Sequence, residues 1–401
     1  MTEAVIVATA RSPIGRAFKG SLTTLRPDDM SAQMVRALMA KVPQVKADDI
    51  DDVMWGIGQP AGEGGFNIAR VVAILAGLDN VPGVQVNRYC SSSLQTIRMA
   101  FHAIKAGEGD CFLAGGVETV SRYMNGASDT APNSVFQPAG ERTQLRSQGG
   151  QGKWAPAEGL ADVYIAMGQT AENVVELEGI TREEMDRFGV RSQNLACANV
   201  ENGFFEREIS PLTLEDGTVV SKDDGPRPGT TYEAVSQLKP VFRPDGTITA
   251  GNACPLNDGA AVVMVMSDTK AKQLGLTPLA RIVSSGVSGL NPEIMGLGPI
   301  EAIRQALGRA KMTIDQIDLV EINEAFACQV IGSAKHLGID MDKQLNVHGG
   351  AIALGHPFGM TGARIMSTLI NGLQSKDKAY GVESMCVGGG QGLAMVIERL
   401  G

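Results

Sequence analysis

The chain has 401 residues, of which 43% are hydrophobic and 20% charged, and it contains 49 glycines. This balance excludes wholesale disorder and allows a large buried core. A formal net charge of −9, without any block of Lys and Arg in the sequence, argues against a nucleic-acid partner. No apolar run approaches the ~18 residues that a membrane span needs.

The amino terminus and the cysteines indicate a cytoplasmic protein. The chain begins Met-Thr-Glu and continues directly into a strand-like apolar run, which is unlike a secretory signal. The six cysteines are widely spaced and show neither a C-x-x-C pair nor a Cys/His ligand spacing. We therefore expect reduced thiols, no metal site and a cytoplasmic location.

The first part of the chain alternates strand and helix patterns. Residues 91–106 carry one apolar stripe, and Gly107 follows where a helix end is expected. The predicted strands are Ala4–Ala8, Val53–Ile57, Val84–Asn87 and Phe112–Ala114. Such alternation predicts an α/β protein with a mostly parallel sheet covered by helices.

Residues 121–249 differ in character and indicate an inserted, loop-rich region. Turn clusters surround two predicted helices, Ala161–Leu177 and Thr181–Asn199. The second helix begins with Thr181 and has Glu184 three residues later, which is a capping-box pattern. Surface insertions of this kind often carry binding functions.

The last part of the chain repeats the first. Asp48–Val53 matches Asp315–Val320 at an Asp, an Ile, a second Asp and a Val, and strand and helix patterns follow both segments in the same order. We therefore predict two similar halves, residues 1–120 with 250–272 and residues 273–401. Residues 121–249 form the loop domain between them.

Cys90 lies where the predicted strand Val84–Asn87 meets the helix of residues 91–106. Free N–H groups and the positive end of a helix dipole stabilise a thiolate at such a junction. Two interpretations stay open at this point: a nucleophile, or a small buried residue at a packed turn.

Two of the four histidines, His348 and His356, lie in the glycine-rich run 346–357. Pro357 restricts His356 to an extended backbone, which holds the ring steady. A neutral histidine beside a cysteine commonly generates a thiolate, so His356 is a candidate base. A hydrogen-bonded core histidine is the alternative for each. Their spacing permits metal binding in principle, but no third ligand is evident.

Two further candidates follow predicted strands. Cys386 precedes a run of glycines whose N–H groups suit an oxyanion, beside which a thiol could transfer protons. Asn323 follows the run 319–322, where α/β sheets place their sites. Taken singly, either residue could equally be structural.

Together these segments resemble the thiolase family. Cys90 in its Cys-Ser-Ser context, Asn-Glu-Ala-Phe at 323–326, Gly-Gly-Ala-Ile-Ala-Leu-Gly-His-Pro at 349–357 and Cys-x-Gly-Gly-Gly-x-Gly at 386–392 occur in this order. Segments 167–172 and 250–253 extend the similarity over essentially the whole chain. The resemblance implies two βαβαβαββ halves in a five-layer αβαβα arrangement, with a loop domain that holds coenzyme A.

The resemblance also implies roles for individual residues. Cys90 would be the nucleophile that carries the acyl group, and His356 would activate it. Cys386 would be the acid and base for the acetyl-CoA enolate. Asn323 would hold a water that forms one oxyanion hole with His356, and the N–H groups of Cys90 and Gly388 would form the second.

By the same resemblance, coenzyme A is a co-substrate along the loop domain rather than a permanently bound cofactor. Arg227 is the candidate for its adenine end, and Cys254 stands at the pantetheine channel. The positions that match family contacts are Met167, Arg227, Phe242, Ala250, Cys254, Met295, Phe326 and His348.

Three positions depart from the commonest family pattern. Ser93 replaces a usual glycine, Cys254 with Pro255 replaces a serine and a small residue, and His348 stands where many members have Asn. None removes a catalytic group, so they leave the reaction intact and the acyl-chain preference open.

The leading hypothesis is an acetyl-CoA C-acyltransferase of the β-oxidation type, which cleaves 3-ketoacyl-CoA with CoA through a Cys90 acyl-enzyme. The alternatives are a biosynthetic acetyl-CoA acetyltransferase and, from another class, a non-catalytic acyl-CoA-binding protein. The second cysteine, Cys386, argues against a ketoacyl synthase. The resemblance implies a homodimer or homotetramer and leaves open a complex with a hydratase or dehydrogenase.

Overall fold

The computed structural model describes residues 2–125 and 131–401. Within these residues there are twelve α-helices and twelve strands. The helices are α1 Pro27–Lys41, α2 Ile68–Leu75, α3 Ser92–Ala106, α4 Gln137–Ser147, α5 Met167–Glu178, α6 Arg182–Glu201, α7 Tyr232–Val235, α8 Asp268–Gln273, α9 Gly298–Ala310, α10 Ala327–Leu337, α11 Ala351–Leu354 and α12 Thr361–Ser375. The strands are β1 Ala4–Arg11, β2 Gly15–Arg16, β3 Asp52–Gly56, β4 Gly83–Val86, β5 Cys111–Thr119, β6 Leu212–Thr213, β7 Val219–Val220, β8 Asn257–Ser267, β9 Ala280–Gly289, β10 Leu319–Ile322, β11 Tyr380–Val387 and β12 Gln391–Arg399.

Ten strands form one sheet in the order β10-β11-β12-β9-β1-β8-β5-β3-β4, with β2 paired to β8. Strands β1 and β9 pair only through Val5 with Arg281 and Ile6 with Ala280. This short contact divides the sheet into an N-terminal half and a C-terminal half. Strands β6 and β7 form a separate two-stranded sheet.

The two halves repeat one arrangement, which confirms the predicted duplication. Strands β3, β5, β8 and β1 have the same order and relative directions as β10, β11, β12 and β9. The repeated segments form a 3-10 turn, Ala47–Asp49 or Ile314–Gln316, that leads into β3 or β10. A parallel bridge between Val320 and Leu345 takes the place of β4 in the second half.

The prediction of a mostly parallel sheet was wrong, because the sheet is mixed. Strand β3 is parallel to β4 and β5, and β10 is parallel to β11. Strands β8 and β12, however, run antiparallel to both of their neighbours. Strand β12 follows β11 through a tight turn that forces this direction, and β8 enters the sheet only after the long insertion.

Three apolar cores give the five layers that the resemblance implied. The central core contains Leu94 and Ile97 of α3 with Met366 and Leu369 of α12, which lie between the two half-sheets. A second core joins α1 and α2 to the outer face of the N-terminal half. A third joins α9 and α10 to the outer face of the C-terminal half. The order is therefore helix, sheet, helix, sheet, helix.

The structure agrees with the sequence predictions at two helix ends and differs at a third. Gly107 ends α3 with a left-handed φ of 79°. Thr181 caps α6, because its hydroxyl accepts from the Glu184 N–H and the Glu184 carboxylate accepts from the Thr181 N–H. The helix predicted from Ala161 begins only at Met167, because the preceding residue has an extended backbone.

Between β5 and β8 the described chain forms α4 to α7 and the β6–β7 pair. Residues 126–130 of the predicted loop domain lie outside the described residues, and the domain boundaries stay a prediction. None of the helices in the described ranges is long and apolar enough to cross a membrane.

Candidate active site

Cys90 lies in a 3-10 turn, Tyr89–Ser91, between β4 and α3. Tyr89 has a positive φ of 43°, a left-handed conformation that residues with a side chain rarely adopt. The Asn87 side chain accepts a 2.7 Å hydrogen bond from the Tyr89 N–H and holds this turn. The turn thus presents Cys90 two residues before the start of α3, at the strand-to-helix junction that the sequence predicted.

Burial raises the pKa of the Cys90 thiol to about 12, while the N–H groups of Gly388 and of Cys90 itself oppose this shift. The thiol is therefore neutral at physiological pH, and a partner must take its proton during reaction. The two N–H groups are those that the resemblance assigns to an oxyanion hole. Gly388 itself lines the cavity that opens onto Cys90.

Gly388 is held by a chain of side chains. Its carbonyl accepts from Gln391 Nε2 at 3.1 Å, and Gln391 Oε1 accepts from Arg88 Nη1 at 2.7 Å. Arg88 Nε in turn donates to Gln95 of α3 at 3.0 Å. Arg88 and Gln391 were not predicted from the sequence, since neither residue type is distinctive there. They connect the turn before the nucleophile to the glycine loop after β11.

His356 is buried and its ring is held on both nitrogens. Nδ1 lies 2.7 Å from the hydroxyl of Thr361, which itself donates to the carbonyl of Pro357. Nε2 lies 3.2 Å from Nδ2 of Asn323. Burial, with a smaller contribution from Arg364, lowers the pKa of His356 to about 3. The imidazole is therefore neutral and available as a base.

Asn323 follows β10, as predicted, and points its amide at His356. Its backbone carbonyl accepts a hydrogen bond from Gln329 Nε2 at 2.7 Å, which holds the backbone of Asn323 at the end of β10. Its Oδ1 is buried and has no hydrogen-bond partner among the described residues. Buried oxygens of this kind are places where proteins hold ordered water.

The first turns of α3 and α12 meet beside the site. The Ala363 N–H donates to the Ser93 hydroxyl at 2.9 Å. Gly362 lies so close to Leu94 that a side chain there would clash with its backbone nitrogen. Ser93, one of the departures from the family pattern, thus gains a role: it joins the nucleophile's helix to the helix that carries Thr361.

Cys386 lies near the end of β11 and is fully buried. Burial raises its pKa well above the ordinary value, and ionised Cys90, Cys254 or Cys328 would raise it further. Strand β11 contacts the 3-10 turn that carries Cys90, and Cys254 packs against the apolar core that contains Cys386. In the described part of the chain, no group of three or more His, Cys, Asp and Glu side chains could hold a metal ion.

A cavity of about 320 Å³ opens above Cys90. Tyr89 and Gly388 form one side of it, and Phe358 and Met167 contribute apolar walls. The buried carboxylate of Glu118 does not line the cavity, but it accepts hydrogen bonds from the backbone N–H groups of residues 58 and 59, which do, and of residue 359. Sequence reasoning did not identify Glu118, which has no distinctive motif around it.

The predicted coenzyme A contacts divide into three groups. Met295 and Phe326 belong to the third apolar core, and Met167, Phe242 and Cys254 pack against it. The rings of Phe242 and Phe326 meet edge to face, with centroids 6.2 Å apart. These five residues therefore form one apolar wall.

Arg227 and Ala250 are exposed and lie outside this wall. The Arg227 N–H donates to Gln193 of α6 at 2.9 Å, which fixes its loop on the helix. His348 does not join the site: its ring is buried and stacks on Phe204 with a centroid distance of 4.0 Å.

Comparison with known proteins agrees with this geometry. Residues 4–269 match the thiolase N-terminal domain and residues 276–399 match the thiolase C-terminal domain. The chain is 43% identical to a 3-ketoacyl-CoA thiolase of Cronobacter sakazakii and 42% identical to a beta-ketoadipyl-CoA thiolase of Acinetobacter baylyi, with 100% of both chains covered in each case. A crystal structure of the Bacillus anthracis acetyl-CoA acetyltransferase has a TM-score of 0.86 and 40% sequence identity, and the match covers 100% of this chain and 99% of that one. The chain belongs to the thiolase family and is an acyltransferase.

Proposed function

We propose that this acyltransferase cleaves 3-ketoacyl-CoA with CoA, releasing acetyl-CoA and a shortened acyl-CoA. The observation that carries the proposal is the buried, neutral imidazole of His356. Its Nε2 lies 3.2 Å from the Asn323 amide, and its ring packs on Phe358, which lines the cavity above Cys90. The full-length similarity to 3-ketoacyl-CoA thiolases supports the same direction.

In the first half-reaction, His356 Nε2 takes the proton of the Cys90 thiol, and the sulfur attacks the 3-keto carbon. The N–H groups of Cys90 and Gly388 stabilise the resulting oxyanion. The bond between C2 and C3 then breaks. The acetyl-CoA enolate leaves, and the newly protonated His356 and a water held by Asn323 stabilise its oxygen. Cys386 then gives its proton to C2.

In the second half-reaction, CoA attacks the acyl-Cys90 thioester. The Cys386 thiolate takes the proton of the CoA thiol, and His356 returns its proton to Cys90 as that sulfur leaves. At the end of the cycle His356 is again neutral and Cys386 again carries its proton. Resting thiols with raised pKa values suit this cycle, because each proton moves only when its acceptor or donor is engaged.

We assign coenzyme A to the wall formed by Met167, Phe242, Cys254, Met295 and Phe326. Met167 also lines the cavity above Cys90 and so joins this wall to the nucleophile, and an apolar wall suits a pantetheine arm. We assign exposed Arg227 to the phosphates or adenine at the outer end, because a guanidinium suits either group. We leave His348 out of this assignment because its ring packs on Phe204.

The test is thiolysis of 3-ketoacyl-CoA in the presence of CoA, followed by loss of the magnesium–enolate absorbance. Cys90→Ala should abolish turnover, and unchanged turnover in that variant would refute the proposal. Iodoacetamide should alkylate Cys90 in the unaltered chain, and acyl-CoA should protect it. A chain-length series separates the degradative activity from acetoacetyl-CoA synthesis, the direction that the name of the solved relative, an acetyl-CoA acetyltransferase, suggests.

We also propose a homo-oligomer. Strand β4 is an unpaired sheet edge, and three apolar side chains stand exposed on or beside the neighbouring α2: Phe66, Ile74 and Leu75 are 87%, 46% and 42% exposed. A second copy of the chain would cover this face. Light scattering should show a dimer or tetramer, which Phe66→Asp should weaken. The cytoplasmic location stays a prediction.

A further inference from the structure

The cavity above Cys90 is lined by uncharged side chains. Its walls come from Val163, Tyr164 and Met167 on one side and from Tyr89 and Phe358 on the other. Gln59 contributes an amide, and glycines contribute backbone only. Since the cavity opens directly onto the nucleophile, the acyl group of the substrate must contact these residues.

An acidic side chain holds the backbone of two residues that line the cavity. Glu118 is fully buried and accepts from the Gly58 N–H at 2.7 Å and from the Gln59 N–H at 3.2 Å, and both residues line the cavity. Its contact with the chain's other half is the Gly359 N–H at 2.8 Å. The side chain that braces the cavity lining from behind is therefore an acid and supplies no positive charge to a substrate.

The arginines near this region are already engaged. Arg88, next to Tyr89, donates from Nε to Gln95 and from Nη1 to Gln391. Arg122 binds the carboxylate of Glu63 through Nε and Nη2. Residues 126–130, which lie outside the described part of the chain, contain no Lys or Arg.

We propose that this cavity selects 3-ketoacyl-CoA substrates with an uncharged chain and rejects those whose chain ends in a carboxylate. The inference rests on the proposed thiolysis activity and specifies its substrate class. A carboxylate in a cavity lined only by uncharged side chains loses hydration and gains no cation in return. Relatives with similar identity to this chain include a thiolase named for the dicarboxylic beta-ketoadipyl group and others named for 3-ketoacyl groups in general, so overall similarity does not decide between the two classes.

The test compares 3-ketohexanoyl-CoA with 3-ketoadipyl-CoA. Both acyl chains have six carbons, and they differ only in a terminal methyl or carboxylate. We expect kcat/KM for thiolysis of the hexanoyl substrate to exceed that of the adipyl substrate by at least about 100-fold. Equal values, or a preference for the adipyl substrate, would overturn the inference.

A charged variant sharpens the test. Val163 lies on the cavity wall, so Val163→Arg should bring a cation to the acyl chain and narrow the ratio of the two kcat/KM values by at least about 10-fold. Val163→Gln, which adds length without charge, is the matched control and should leave the ratio above about 50-fold. Equal effects of both substitutions on the ratio would show that shape and not charge is responsible.

A second readout does not depend on turnover. Hexanoyl-CoA should protect Cys90 from iodoacetamide at a concentration at least about 10-fold lower than adipyl-CoA does. If neither 3-ketoacyl-CoA is cleaved but this difference in protection persists, the proposed thiolysis fails while the cavity preference stands. Equal protection contradicts the preference, whatever the turnover.

Discussion

Thr361 determines which nitrogen of His356 is the base. The threonine hydroxyl donates its only proton to the carbonyl of Pro357, so it accepts the proton on Nδ1 of His356 at 2.7 Å. The lone pair of the neutral ring is therefore on Nε2, the nitrogen that faces Asn323. One hydroxyl thus fixes both the orientation and the tautomer of the imidazole.

Replacing Thr361 should therefore reduce chemistry more than binding. Thr361→Val keeps the side-chain shape but leaves Nδ1–H without an acceptor, at a cost of about 1–3 kcal/mol for a buried donor. We expect kcat to fall by about 10- to 100-fold, with KM for CoA within about 2-fold. Steady-state thiolysis kinetics measure both constants.

Thr361→Ser is the matched control, since it retains the hydroxyl. It should recover most of the lost kcat. If serine and valine reduce kcat equally, packing of the Thr361 methyl group and not its hydrogen bond is what matters.

The fold was largely predictable because its signals are local. Apolar periodicity placed α3, the capping box placed the start of α6, and the repeat of Asp48–Val53 at Asp315–Val320 revealed the duplication. Strand direction was not predictable, because β8 joins the sheet only after a long insertion and no local pattern specifies where it pairs. The start of the helix predicted from Ala161 was missed for a similar reason: the apolar pattern continues into a segment with extended backbone.

In the candidate site, too, some residues can be identified from local sequence and others only from the structure. Cys90, Asn323, His356 and Cys386 stand in distinctive motifs, and the structure places them at strand ends and turns as expected. The residues that hold them, Thr361 among them, are ordinary residue types whose partners are distant in sequence. Arg88, for example, binds Gln391 across 303 positions. Only the folded chain reveals such pairs.

Cys386 should be needed for proton transfer but not for the reactivity of Cys90. Cys386→Ala removes the group that we assign to protonate the enolate, so thiolysis should fall by about 10²- to 10⁴-fold. Exchange of the acetyl-CoA methyl protons in D₂O, followed by NMR, should be lost with it. Alkylation of Cys90 and its protection by acyl-CoA should persist, because the turn that carries Cys90 and the neutral His356 are unchanged.

The control for that variant is another buried cysteine outside the site. Cys111 lies in β5 within the second core, so Cys111→Ala should leave kcat and KM unchanged. Retained proton exchange in Cys386→Ala would assign the acid role to a different group.

Gly168 allows Phe242 to approach α5. A Cβ at Gly168 would lie 2.2 Å from the Phe242 ring, so Gly168→Ala must displace that ring. Overpacking of this kind costs about 1–3 kcal/mol. Because we assign Phe242 to the coenzyme A wall, we expect KM for CoA to rise by about 10-fold with a smaller change in kcat. Gly140→Ala, in α4 with open space around the added methyl group, should leave KM unchanged.

His348 makes the chain sensitive to acid through packing and not through catalysis. Burial, with smaller contributions from Lys376 and Arg207, lowers the pKa of His348 to about 3, while the unfolded chain takes up this proton near pH 6.5. The unfolded state therefore binds more protons below pH 6.5, and the stability of the folded state falls as the pH drops. For one such histidine the loss between pH 7 and pH 5 is about 2 kcal/mol.

His348→Asn removes this proton uptake. Losing the stack on Phe204 lowers the free energy of unfolding at both pH values, so the decisive quantity is the difference between them. Urea unfolding at pH 7 and pH 5 should show a difference about 2 kcal/mol smaller in the variant than in the unaltered chain. KM for CoA should be unchanged, since the ring lies away from the coenzyme A wall. If KM for CoA rises in His348→Asn and the difference in the free energy of unfolding between pH 7 and pH 5 is unchanged, His348 belongs to the coenzyme A site.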